Sequence, residues 1–111
     1  MDLYNKLQLQ VDLLQKSLEQ LRKTSEAYAE AERDYKILLR QEVLKLRDEG
    51  EAIGVINLIC YGIPSVAEAR FKRDCAEGVY KANQEAINTY KLKIRLIEAQ
   101  LSREWVNDTP R

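Results

Sequence analysis

Residues 64–105 read PSVAEARFKRDCAEGVYKANQEAINTYKLKIRLIEAQLSREW, and this stretch decides the fold. Apolar or small residues recur at Phe71, Cys75, Val79, Ala82, Ala86, Tyr90, Ile94, Ile97, Leu101 and Trp105. Spacings of three and four are those of one helix face. No proline follows Pro64 in the stretch, and Gly78 is its only glycine. The spacing predicts one helix over about 66–106. Ser65 and Glu68 stand as a capping box, with Pro64 before the cap holding the incoming chain out of the helix. The run of fours lies nearer an eleven-residue repeat than strict heptads, so little left-handed supercoil is expected.

Working outward, residues 2–48 predict a first long helix. Leu7, Val11, Leu14, Leu18 and Leu21 alternate spacings of four and three, a coiled-coil seam. The seam weakens through Ser25, Tyr28, Ala31 and Tyr35, where alanines beside tyrosines imply a close helix approach. It resumes at Leu39, Val43 and Leu46, and Ile37, Leu38 and Leu44 widen the apolar face. Gly50 is placed to end the helix. Residues 51–63, EAIGVINLICYGI, are the most apolar part of the chain and read as a short corner helix closed at Gly62.

Two long helices about a short corner make an all-α antiparallel hairpin, read as a single domain over 1–111. Pairing divided evenly about the corner sets Leu46 near Phe71, Tyr35 near Ala82 and Tyr28 near Tyr90. It also sets Glu26, Glu30, Glu32 and Asp34 beside Lys81, Lys91, Lys93 and Arg95. Two helices cannot enclose both wide apolar faces, so a homo-oligomer is expected, a dimer forming a four-helix bundle in its simplest form. The interface candidates are Leu7, Val11, Leu14, Leu18, Leu21, Ile56 and Ile59. Whether the corner docks on its own subunit or swaps onto a neighbour is open.

Composition narrows function. Lys plus Arg and Asp plus Glu each number 18, there is no histidine, and 32% of residues are charged. The balance gives no global attraction to nucleic acid or an anionic membrane. Without histidine, a phosphate loop, a nucleophile–base motif or metal-ligand spacing, the expectation is a non-enzymatic protein with no cofactor and no metal. Cys60 and Cys75 read as free thiols. The amphipathic start MDLYNKLQLQVDLLQK is not a secretion signal, and the apolar window 52–67 is too short and too broken to span a bilayer. A cytoplasmic location follows as the expectation.

Locally, Arg70 to Arg95 contains seven basic and three acidic residues. Arg70, Lys72, Arg73, Lys91 and Arg95 are candidate contacts to an anion, with Tyr80 and Tyr90 as stacking surfaces. The competing reading is a solvated basic face with bundle-core tyrosines. The Gly62 turn followed by basic residues also permits a helix-turn-helix, but the second helix runs too far for a reader, so nucleic acid is a minor alternative.

The segments Ala69–Asp74 (ARFKRD), Glu85–Asn88 (EAIN), Tyr90–Arg95 (YKLKIR) and Ser102–Trp105 (SREW) resemble small helical proteins encoded by tailed phages and prophages of Gram-positive bacteria. The resemblance spans roughly Tyr35 to Trp105. It implies an accessory protein acting in the host cytoplasm, and it transfers no functional residues because the group has no assigned activity. The sequence reading is therefore a protein that binds. Its partner is itself together with an anionic nucleotide signal or a host protein, as in blunting a host defence. The alternative is an assembly adaptor or scaffold whose leucine seam engages the partner.

Overall fold

The computed structural model describes residues 2–108, and no strand occurs among them. Helix α1 spans Leu3–Asp48, α2 spans Ile53–Ile59 and runs into a 3₁₀ turn at Cys60–Gly62, and α3 spans Pro64–Asp108. The chain divides into two compact units. The first joins Met1–Lys23 to Lys81–Arg111, and the second is Thr24–Tyr80. Both long helices contribute to both units.

Local chemistry sets the helix ends. Asp2 caps α1, its Oδ1 accepting from the Asn5 N–H at 2.8 Å. At the other end Gly50 adopts φ +87°, a left-handed conformation that suits glycine. The Glu51 N–H donates to the Leu46 carbonyl at 3.1 Å and the Gly50 N–H to that of Arg47 at 3.0 Å. These are the two bonds of a Schellman stop. The start of α3 departs from the expected capping box. Pro64 is the first residue of the helix rather than the residue before its cap. Proline suits that place, since its ring presets φ and an N–H there would go unused. The extended Ile63 precedes it, and its carbonyl accepts from the Ala67 N–H at 2.9 Å.

Within the second unit the two long helices run antiparallel, but in a register different from even division about the corner. Tyr28 meets Tyr80, not Tyr90, with ring centroids 5.8 Å apart. Tyr35 meets Arg73, not Ala82, with the guanidinium carbon 4.6 Å from the ring centroid. Both pairs centre on Gly54, near the start of α2, whereas even division about the corner centres near Leu58. Ile56, Cys60, Val66 and Tyr35 are buried in this unit, four of the five buried side chains among the described residues. Each buried aliphatic side chain is worth roughly 1.5–3 kcal/mol relative to exposure.

In the first unit Leu14 lies by Ile94, and Leu18 and Leu21 lie by Ile87 and Asn88, again antiparallel. Ile87 is the buried residue here. The Asn83 Nδ2 donates to the Ser17 carbonyl at 3.0 Å. Gln10 also turns inward and buries its Oε1 without a hydrogen-bond partner. Leaving such an atom unpaired costs about 1–3 kcal/mol.

The covered stripe of each long helix differs from the expected one. On α1 the inward residues include Leu7, Gln10, Leu14, Ser17, Leu21, Thr24, Tyr28, Ala31, Tyr35 and Leu38, while Val11 and Leu18 are exposed. On α3 they include Val66, Ala69, Arg73, Ala76, Tyr80, Asn83, Ile87, Tyr90, Ile94, Ile97 and Leu101. Both stripes repeat strictly in sevens, which replaces the eleven-residue period read from α3. Phe71, Val79 and Trp105 face solvent, as does the thiol-bearing Cys75. The more apolar set was the wrong guide because each helix carries two apolar faces.

Candidate functional site

The basic cluster at the start of α3 is divided by its own packing. The Arg73 side chain is only 21% exposed. Its guanidinium donates to Asp74 Oδ1 through Nη2 at 2.8 Å and through Nε at 3.0 Å. Nε also lies 3.9 Å from Glu32 Oε2, and the group covers the Tyr35 ring. The hydrogen bond to Asp74, followed by the charges of Asp74 and Glu32, outweighs burial and raises the already high pKa of Arg73. Arg73 is thus a positive charge inside the helix seam, with two of its N–H donors on Asp74 and its charge balanced by Asp74 and Glu32.

Arg70 lies over the Tyr61 ring at 5.7 Å and is exposed. Lys72 is exposed at the edge of a groove of about 520 Å³ between the helices of the second unit. Ala27, Ala31, Leu38 and Ala69 line it apolarly, and Glu30, Asp34 and Glu68 add three carboxylates against the one ammonium. Tyr80 packs on Tyr28 in the same unit. The remaining anion-site candidates lie in the first unit, where Lys91 and Arg95 border a shallow hollow with Leu14, Ile94 and Glu98. Tyr90 is half-buried in that unit's seam. The acidic turns of α1 therefore meet the start of α3, as Glu32 with Arg73 shows, and Lys91 and Arg95 have Glu98 nearby.

The interface candidates also separate. Leu7, Leu14 and Leu21 are half-buried within the chain, and Ile56 is almost wholly buried in the second unit. Val11, Leu18 and Ile59 are exposed. They are joined by side chains that sequence reading assigned to the intrachain seam or left unassigned. In the second unit Leu58 is 83% and Phe71 64% exposed, with Ile53, Tyr61 and Val79 also open. In the first unit Leu92 is 51% and Leu96 61% exposed, with Tyr4, Trp105 and Val106 also open. Among the described residues seventeen large apolar side chains are exposed against five that are buried, the reverse of what a self-sufficient core requires.

The alanine-floored groove escaped sequence reading, although its signal was present. Counting back in sevens from Tyr80 gives Arg73 and Val66, and the neighbouring three–four position is Ala69. That register turns Ala27 and Ala31 toward the α1–α3 cleft. Arg73 hid it, because a charged residue seldom marks a seam.

Among the described residues no helix is long and apolar enough to cross a membrane, and no cluster of three or more His, Cys, Asp or Glu could hold a metal ion. No protein-family model matches the chain, and neither the curated proteins nor the solved structures yield a match.

Proposed function

We propose that this protein acts by binding, through helix faces that another polypeptide completes, and that its first partner is a second copy of itself. The observation that carries this reading is the excess of exposed large apolar side chains over buried ones. At roughly 1.5–3 kcal/mol for each such side chain covered, six or more are needed to overcome the cost of association, about 4–15 kcal/mol. The helix faces supply that number. A pair of hairpins forming a four-helix bundle is the simplest completed state.

Helix association ranks ahead of anion capture because Arg73 is four-fifths buried and its charge is already balanced by Asp74 and Glu32. Arg70 and Lys72 remain open to an anionic ligand, so sequestration of a nucleotide is the secondary reading. The resemblance of α3 to phage-encoded helical proteins supports an accessory role, either as an assembly adaptor or as a blocker of a host factor. Faces left open by self-association would engage that partner.

The test is urea unfolding at two protein concentrations. If folding is coupled to dimerisation, a hundredfold increase in concentration stabilises the native state by about 2.7 kcal/mol. The transition midpoint then moves to higher urea. A midpoint independent of concentration would contradict self-association.

A further inference from the structure

We infer that the alanine-floored groove of the second unit receives the outward face of α3 from the first unit of a second copy. This inference rests on the self-association proposed above and specifies which surfaces meet. The groove runs from Ala27 to Leu38 on α1 and from Ser65 to Lys72 on α3. Small side chains at Ala27, Ala31 and Ala69 let another helix approach closely. Glu30 and Asp34 lie on the α1 side and Glu68 with Lys72 on the α3 side, so each rim carries a carboxylate and the α1 rim is the acidic one.

The proposed occupant has the complementary pattern. Leu92, Leu96, Ala99, Arg103 and Val106 fall on one stripe of α3, and all five are exposed. At 3.6 residues per turn, Lys93 and Arg95 lie about 80° to either side of the line through Leu92 and Leu96. A cation therefore flanks the apolar stripe on each edge, as a carboxylate flanks the groove on each rim. Neither Lys93 nor Arg95 takes part in an ion pair among the described residues. The lengths agree as well. Residues 27–38 and residues 92–103 each extend about 16 Å along a helix.

Other exposed stripes fit less well. The Tyr4, Val11 and Leu18 face of α1 is bordered on one side by Gln8 and Gln15, which offer the carboxylates no charge. The Phe71 face of α3 carries Glu68 on its own edge, which would meet the groove carboxylates as a like charge.

A charge-swap experiment on the full chain tests the contact. One variant carries Glu30→Lys and Asp34→Lys, and the other carries Lys93→Glu and Arg95→Glu. The Arg33 pairs made by Glu30 and Asp34 are between largely exposed side chains, so losing them leaves the fold intact. In either variant alone the groove meets a face of its own sign, and self-association should weaken roughly a hundredfold or more. Mixed together, each groove meets a face of opposite sign, and sedimentation velocity should show a heterodimer at the wild-type concentration. That recovery also shows that both variants are folded. Variants that associate as well as the wild type would overturn the contact while leaving self-association in place. Dissociated variants that fail to combine would overturn it too. A wild type that does not associate would remove both this inference and the reading beneath it.

Discussion

Replacing Tyr35 by alanine is expected to destabilise the second unit by roughly 3–5 kcal/mol, the range for truncating a buried aromatic side chain. Tyr35 is 5% exposed, and its ring lies beneath the Arg73 guanidinium. Removing the ring opens a cavity in the α1–α3 seam and strips Arg73 of its cation–π partner. A large share of the stability of a small domain would be lost. Urea unfolding followed by circular dichroism measures the change. Tyr35→Phe keeps the ring and is expected to remain close to wild type. An alanine variant within about 1 kcal/mol of wild type would mean that Tyr35 is not a core residue, since exposed positions give changes of that size.

The second large effect is on association and should leave the single hairpin unchanged. Leu92→Glu with Leu96→Glu removes two apolar side chains from the proposed contact, worth roughly 1.5–3 kcal/mol each. It also places carboxylates against Glu30, Asp34 and Glu68. The dissociation constant is expected to rise by about two to four orders of magnitude. Glutamate is a good helix former and both positions are already more than half exposed, so helix content should not change. Sedimentation velocity combined with circular dichroism separates the two effects. Unchanged association would exclude this face from the interface, and lost helix content would show that the leucines serve the hairpin itself.

Much of the fold was legible because helix signals are local. The three–four spacing, the scarcity of glycine and proline, and the Gly50 stop are properties of short stretches, and they place two long helices about a short one. Register and seam were not legible for a different physical reason. Register depends on where the chain turns back, and the observed pairs centre on Gly54 near the start of α2 rather than near Leu58, as even division assumes. The seam was hidden by its polar members. Gln10, Ser17, Thr24, Arg73 and Asn83 face inward, while Val11, Leu18, Phe71 and Val79 face out. A hydrophobic count follows the second set. Such a count alone does not tell the covered face of each helix from its exposed one.

Of the candidate site, charge was legible and its use was not. Arg70, Lys72 and Arg73 are adjacent in sequence, but Arg73 turns into the seam, while Arg70 borders Tyr61 and Lys72 borders the groove. The alanines that floor the groove carry little signal alone. They form a surface only once α1 and α3 are aligned in the observed register.

A second copy of the chain is expected to complete the exposed helix faces. Sedimentation equilibrium of the untagged full-length chain, at micromolar concentration and physiological salt, tests it most directly. The expected result is a mass of twice the 12.9 kDa chain. A single species at the chain mass across the concentration range would contradict it.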